Sequence, residues 1–473
     1  MNKKTKTAAL STLGCRVNQY ESDAIADGLT GRGFVIVPFG TPADVTILNT
    51  CTVTGESDRK SRQLIRRAVA ASPGCPVIVT GCYSETGKDD VLRIDGVTYI
   101  KGNAKKSDIP GIAERLVSEA LSFIDTDNVS RAAETIVDVE DISASTYDRM
   151  TLTRASRARS YMKIEDGCDN RCAYCIIPAA RGHVRSKERG DAVNEAKVLL
   201  SDGCREIILT GIEVASYGRD AGAEREEYMG ASLASLIEDI AAVGFERISM
   251  GSLEPTVMSD KFVRRIAAIP SLLPHFHLSV QSGSSTVLAR MRRRYNAAML
   301  DECITRLKEA IPNVFLSADI ITGFPGETEA EFAETVDFIR RTRFLHLHIF
   351  PYSERRGTEA AGMRDQIPVN LRNERLRILS AQQKKIKAEL LREYVNAHRT
   401  SPVHVLVEEV KNGLVCGHSE HFVEVRFPVN TSETDTSAAD ISATVENVVG
   451  KIAEVILTDT DGESCTGRAV SFT

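Results

Sequence analysis

Three cysteines fall within one short segment, Gly167-Cys168-Asp169-Asn170-Arg171-Cys172-Ala173-Tyr174-Cys175-Ile176-Ile177-Pro178, at the spacing C-x3-C-x2-C. With 11 cysteines among 473 residues, chance supplies a fixed triple of this kind on the order of 0.006 times. A structural zinc site needs a fourth ligand nearby, and the next candidates, His183 and Cys204, do not complete a zinc-ribbon spacing. Three thiolates suit instead a 4Fe–4S cluster with one iron left open, where a small molecule can bind and be reduced.

A second set lies nearer the start. Cys15 in Thr12-Leu13-Gly14-Cys15, Cys51 in Asn49-Thr50-Cys51-Thr52 and Cys82 in Thr80-Gly81-Cys82-Tyr83 each close a strand-like apolar run. Open α/β sheets bind ligands in the crevice beyond the carboxyl ends of their strands, so three thiolates placed there can converge on a second cluster. Spacing alone is met equally well by three small thiols packed as hydrophobes. Cys75 sits between Gly74 and Pro76, ahead of a strand, and is read as a bystander.

The elements that must position these residues follow from periodicity. Residues 8–14, 45–50 and 77–81 are expected as buried strands separated by amphipathic segments at 22–29 and 56–71, the pattern of a doubly wound parallel sheet. From residue 160 the alternation restarts, with strands expected at 161–165, 206–211, 246–252, 275–281, 314–322 and 345–352. These make about six βα units, hence a partial barrel whose site lies at the C-terminal ends of its strands. Residues 368–398 form one long charged helix, with Pro368 at its start, where a missing N–H costs nothing. Short strands at 403–409, 413–417, 422–427, 451–458 and 465–470 fit a small barrel of the oligonucleotide-binding type, interrupted by a polar loop at 430–442. The expected organisation is therefore an α/β chain with domains at 1–125, 154–398 and 399–473, and a linker at 126–153 where apolar periodicity is lost.

The first cysteine spacing, with Tyr174 ahead of the third cysteine, resembles the radical S-adenosylmethionine superfamily. The two triads followed by a small barrel resemble its methylthiotransferases over essentially the whole chain. Further matching segments are Gln281-Ser282-Gly283-Ser284, Met291-Arg292-Arg293-Arg294-Tyr295, Asp319 through Thr328, and Phe350-Pro351-Tyr352-Ser353. The resemblance implies that Cys168, Cys172 and Cys175 hold a radical 4Fe–4S cluster in a (β/α)6 domain. It further implies that Cys15, Cys51 and Cys82 hold an auxiliary 4Fe–4S cluster, and that the last module is a TRAM domain. It adds S-adenosyl-L-methionine as a cofactor, chelated at the open iron and cleaved by one electron to a 5′-deoxyadenosyl radical, with no single side chain marked as catalytic. Around that cofactor, Thr210 and Gly211 would let the backbone approach its amino end, Glu254 and Gln281 would supply polar contacts, and Gly323 would pass beside the adenine. Each glycine also serves simply to turn the chain after a strand.

Thr12 through Ser22 looks most like the threonylcarbamoyladenosine branch of that family. This implies methylthio transfer to C2 of N6-threonylcarbamoyladenosine beside the tRNA anticodon, with N6-isopentenyladenosine in tRNA or a ribosomal-protein aspartate as alternatives. It also implies an electron donor such as flavodoxin or ferredoxin, and a monomer is expected. The formal charge of −6 and pI near 6.0 exclude a global positive field, so RNA must be held by local patches. The candidates are Arg59, Lys60, Arg62, Arg66 and Arg67; Arg154, Arg157, Arg159 and Lys163; and Arg290, Arg292, Arg293 and Arg294. Against this, residues 401–473 carry 4 Lys/Arg and 12 Asp/Glu, a balance better suited to a basic protein than to RNA, with Phe422 and Phe427 the candidates for base stacking. Without a span-length apolar run or a signal-like core after Met1, the expectation is a cytoplasmic chain with no membrane partner, its cysteines reduced or bound to metal.

Overall fold

A computed structural model describes residues 5–124, 134–155, 158–220, 228–428 and 448–472. The first sheet contains β1 (Lys6–Thr12), β2 (Phe34–Val37), β3 (Val45–Thr50), β4 (Val77–Gly81), β5 (Tyr99–Lys101) and β6 (Ile136–Asp138), all parallel, in the order β2-β1-β3-β4-β5-β6. Strands β3 and β4 are buried throughout because both faces are covered. Ile47 and Ile78 face the helices Arg16–Gly31 and Ile109–Ile124, while Leu48, Val77 and Val79 pack with Ile65 and Ala68 of the helix Gly55–Ala71. This is the expected doubly wound arrangement.

The segment expected as a linker is tied down where it is described. Ile136–Asp138 adds to the sheet edge as β6, paired with β5, and Asp138 accepts hydrogen bonds from Tyr99 Oη and Lys101 Nζ, both at 2.8 Å. Met150 and Leu152 are buried in the core. A three-residue edge strand is too short to show a period, and backbone pairing rather than apolar patterning holds it.

The central domain has β7 (Arg159–Lys163), β8 (Glu165–Asp166), β9 (Arg185–Ser186), β10 (Glu206–Thr210), β11 (Arg247–Met250), β12 (His275–Gln281), β13 (Phe315–Thr322) and β14 (His346–Pro351). The pair β8–β9 is a small antiparallel addition. The six long strands form two parallel triplets, β11-β10-β7 and β12-β13-β14, and parallel bridges Ile248↔Leu272 and Leu253↔Leu278 carry the first onto the second. All six match the expected units within a few residues. The helix Val369–Ala397 then leads to β15 (Val403–Lys411), β16 (Leu414–His418), β17 (Glu424–Pro428), β18 (Ile452–Thr460) and β19 (Cys465–Phe472), a closed barrel in the order β15-β16-β17-β19-β18. Its core includes Leu391, Tyr394 and Val395 of the long helix and Leu345 of the central domain, so it is packed onto its neighbour. The polar loop expected at 430–442 lies outside the described residues, as does Arg157.

Candidate cluster sites

The register of β1, β3 and β4 pairs Thr12 with Asn49, Asn49 with Thr80, and Thr50 with Gly81. Their C-terminal ends therefore lie side by side, and Cys15, Cys51 and Cys82 follow in adjacent positions. Two glycines make this approach possible. Gly14 has φ +105° and a side chain there would meet Cys51 Cβ at 2.9 Å and Sγ at 3.0 Å, while Gly81 has φ +101° and would meet the Thr50 carbonyl at 2.3 Å. Burial pushes the Cys51 thiol up to about 11, and Cys82 and Cys15 add to the shift, so the three sulfurs feel one another. Bound iron holds such thiols as thiolates.

The radical triad occupies the loop after β8. Gly167 has φ +84°, and a Cβ there would meet the His183 carbonyl at 1.9 Å. The loop is fastened by Cys168 N to the Gly182 carbonyl, Cys175 N to the Cys172 carbonyl and Ala173 N to the Met291 carbonyl, each 3.0 Å. Tyr174 sets its ring edgewise to Phe324, centroids 6.5 Å apart. Burial raises the Cys175 thiol to about 12. Among the described residues no group of three or more His, Cys, Asp or Glu side chains closes on a single ion; in a cubane each cysteine binds a different iron, which spreads the donors.

Arginines serve both triads. Arg293 Nη1 donates to Cys172 Sγ at 3.0 Å, and its Nη2 lies 3.5 Å from Glu254 Oε1. Arg181 Nε donates to Cys82 Sγ at 3.3 Å, although Arg181 belongs to the helix Ile177–Arg181 that follows the radical cysteines. Arg181 is fully buried and binds Glu21 at 2.6 Å and Asp166 at 3.1 Å; Glu21 also pairs with Lys106 at 2.5 Å and Lys163 at 3.1 Å. Burial alone would raise the Glu21 carboxyl, but these three cations hold it well below the usual range. The network locks the first domain to the second with cations outnumbering carboxylates beside Cys82, a surplus that suits an anionic iron–sulfur–thiolate centre.

Thr210 and Gly211 end β10, Glu254 follows β11, Gln281 ends β12 and Gly323 follows β13, so the structure brings all five to the same end of the barrel. Glu254 accepts from Asn170 Nδ2 at 3.1 Å, and Gln281 is held at φ +68°, unusual for a side-chain-bearing residue. The glycines have packing reasons as well: a Cβ at Gly211 would meet Glu165 Oε2 at 2.6 Å, and one at Gly323 would meet Arg372 Cγ at 2.4 Å. The sequence reading missed Glu165 and Glu213. Both are buried, both act on Cys168, and each leaves its Oε1 without a hydrogen bond. Burial and the neighbouring Glu254 push Glu213 up to about 7. Orphaned carboxylate oxygens beside the radical triad fit the ammonium group of S-adenosylmethionine.

Most of the basic candidates are already engaged. Arg59 and Lys60 pair with Glu56, Arg154 with Asp27, Arg290 with Glu331, Arg292 with Glu359, and Arg159 with Glu408, while Lys163 and Arg293 are internal. Arg66, Arg67 and Arg294 remain exposed.

The model of the Radical SAM superfamily matches residues 162–339, and that of Uncharacterized protein family UPF0004 matches residues 7–102. A Threonylcarbamoyladenosine tRNA methylthiotransferase MtaB from Bacillus subtilis is 36% identical over 89% of this chain and 90% of its own. One of the same name from Thermotoga maritima is 32% identical over 95% and 98%. A tRNA-2-methylthio-N(6)-dimethylallyladenosine synthase from Acidothermus cellulolyticus is 33% identical over 82% and 75%. A solved structure of the radical S-adenosylmethionine methyltransferase TsrM from Kitasatospora setae shares the fold at TM-score 0.53 and 13% identity, over 76% of this chain and 74% of that one. With identities above 30% across most of both chains, and with both cysteine triads in place, this chain belongs to the methylthiotransferase family of radical S-adenosylmethionine enzymes.

Proposed function

We propose that this chain transfers a methylthio group to C2 of N6-threonylcarbamoyladenosine beside the anticodon of tRNA. The observation that carries the reading is Arg181, which follows the C-x3-C-x2-C segment in the chain and donates to Cys82 of the first-domain set, in a chain most of whose length matches relatives bearing that name. An aromatic C–H offers no leaving group and no useful acidity, so its replacement calls for radical chemistry; two 4Fe–4S clusters and S-adenosylmethionine supply that chemistry when bound.

The protein's part is placement. Cys168, Cys172 and Cys175 are the ligands of the radical cluster, and Cys15, Cys51 and Cys82 those of the auxiliary one. Thr210, Gly211, Glu254, Gln281 and Gly323 line the S-adenosylmethionine seat, with Glu165 and Glu213 accepting from its ammonium group. Arg293 donates to Cys172 Sγ within the central domain and Arg181 reaches from that domain to Cys82 Sγ and Glu21 of the first, which ties the two centres together. The functional units are residues 1–125, 154–398 and 399–473. Phosphate contact falls to the unpaired arginines rather than to the acidic terminal barrel. The enzyme works in the cytoplasm as a monomer, with flavodoxin or ferredoxin as electron donor; among the described residues no helix is long and apolar enough to cross a membrane.

The test uses anaerobically reconstituted enzyme, a reductant, S-adenosylmethionine and an anticodon stem-loop bearing N6-threonylcarbamoyladenosine, read by nucleoside mass spectrometry. Wild type should add methylthio to the base. Cys51→Ala should lose that product yet still cleave S-adenosylmethionine reductively, and Cys168→Ala should lose both. Cleavage retained in Cys168→Ala would reverse the assigned roles.

A further inference from the structure

The interior of the central barrel is polar. Along its strands the alternate residues Met162, Ile207, Ile248, Phe276, Leu316 and Ala318 join the hydrophobic core beneath the helices, so their neighbours in the sequence face the lumen. Those neighbours include Tyr161, His277, Asp319 and His348, in contrast to a closed (β/α)8 barrel, whose interior is filled by branched apolar side chains. The base of the lumen is closed by the terminal module, whose Phe422 ring stacks on His275 at 4.8 Å and on His418 at 4.7 Å. Above that floor the His277 and His348 rings lie 5.3 Å apart. His277 Nε2 is buried and, though 3.1 Å from Asp319 Oδ1, is not aligned for a hydrogen bond.

Into this space comes Arg16, the residue directly after Cys15. It is half-buried, and its charge acts on Tyr161, Glu206 and Asp319 across the lumen and on His275 and His348. Among the described residues it makes no ion pair or side-chain hydrogen bond. Of the nearby carboxylates, Glu206 is taken by Arg247 at 2.8 Å and Ser249 at 3.1 Å, and Asp319 lies 3.1 Å from His277 Nε2 and makes no ion pair with Arg16. A half-buried guanidinium with carboxylates near it but no direct partner gains from a ligand that completes it. The nearest carboxylate the reaction brings is on the substrate, since the threonylcarbamoyl chain on N6 ends in one.

We infer that Arg16, together with His277 and His348, forms an anion subsite in the barrel lumen that takes the carboxylate of the amino-acid chain on the substrate adenine. The inference rests on the function proposed above. C2 and N6 flank N1 on one edge of the adenine, so a base that offers C2 to the cysteine triads carries its N6 chain along the same edge, and the group that reads the chain, Arg16, directly follows the auxiliary ligand Cys15. Guanidinium–carboxylate pairing is planar and bidentate, so it orients the base as well as binding it. The same subsite rejects an isopentenyl chain, which would leave Arg16 unpaired.

The experiment compares three anticodon stem-loops: one with N6-threonylcarbamoyladenosine, one with its neutral carboxamide analogue, and one with unmodified adenosine. Binding to reconstituted wild type, Arg16→Gln and Arg16→Lys is measured by fluorescence anisotropy without S-adenosylmethionine, and iron content is measured alongside. Wild type should prefer the carboxylate over the carboxamide by about 10- to 100-fold. Arg16→Gln should lose that preference while binding the carboxamide within about twofold of wild type, and Arg16→Lys should recover part of it. If Arg16→Gln keeps the preference with full iron, the carboxylate is read elsewhere and this inference falls. If wild type shows no preference yet thiomethylates the threonylcarbamoyl stem-loop, the inference falls while the proposed function stands. If wild type neither prefers nor modifies that stem-loop, the proposed function falls with it.

Discussion

Replacing Glu21 with Gln tests the junction between the first two domains. Glu21 accepts from Arg181 at 2.6 and 3.1 Å, from Lys106 at 2.5 Å and from Lys163 at 3.1 Å, and Glu21, Arg181, Lys106 and Lys163 are all at most 1% exposed. Glu21→Gln keeps the shape but removes the charge, leaving Lys106 with neutral acceptors only, among them Asn49 Oδ1 at 3.2 Å, and Arg181 and Lys163 sharing Asp166. Removing one partner of a buried ion pair costs about 3–5 kcal/mol, because the other charge is left uncompensated. At roughly 2–4 °C per kcal/mol for a domain of this size, the first unfolding transition of the anaerobic full chain should fall by about 6–20 °C in differential scanning calorimetry. The double variant Glu21→Gln/Lys106→Met should recover part of the loss, with a coupling of about 0.5–3 kcal/mol, since it removes the orphaned ammonium. A shift within about 2 °C for Glu21→Gln, or strict additivity in the double variant, would refute the account of this network.

Three further outcomes follow. Burial, with Lys387 and the neighbouring His348 and His418 adding, lowers His346 from 6.5 to about 4, so the folded chain keeps it neutral where the unfolded chain protonates it. Its stabilising contribution is full above pH 6.5 and is lost as pH falls toward 4, on the order of 3 kcal/mol in all; urea midpoints between pH 7.5 and 5.5 should fall less steeply in His346→Gln than in wild type. Arg247 is buried and joins Glu206 at 2.8 Å to the carbonyls of His404 at 2.9 Å, Ser419 at 3.0 Å and His418 at 3.2 Å; Arg247→Met should loosen the terminal barrel by about 3–5 kcal/mol, seen as earlier cleavage near residues 399–402 in limited proteolysis. Changing Cys168, Cys172 and Cys175 together to Ala should lower reconstituted iron and sulfide by about half, and an unchanged content would remove the cluster assigned to these three cysteines.

Strands β3 and β4 are legible to the residue because burial on both faces leaves an unbroken apolar run, and a glycine or threonine before each first-domain cysteine marks where its strand must end. Strands β2, β5 and β6 escape the same reading. They are three or four residues long, shorter than the window in which a period can be recognised. The six cysteines show in the sequence because their spacing is covalent or repeats at strand ends. The Glu21 network does not, since Glu21, Lys106, Lys163 and Arg181 come from four distant segments and only the fold assembles them. One local signal was available: Asn18 and Glu21 interrupt the buried face formed by Val17, Tyr20, Ala24 and Ile25 on their helix, and polar residues on a core-facing stripe ask for partners. Clusters of arginine in the sequence misled for the converse reason, because a charge run carries no record of the carboxylates that neutralise it in three dimensions. The terminal module reads as separable by its change of element type, yet Leu345 and Tyr394 place its core partly in the neighbouring domain.

The central claim is the acceptor. Deleting the gene from its host and analysing tRNA nucleosides and ribosomal proteins by mass spectrometry tests it directly. Loss of the methylthio group from N6-threonylcarbamoyladenosine alone is the predicted result, restored by the wild-type gene and not by Cys51→Ala or Cys168→Ala. Unchanged tRNA nucleosides, with a mass loss confined to a ribosomal protein, would contradict it.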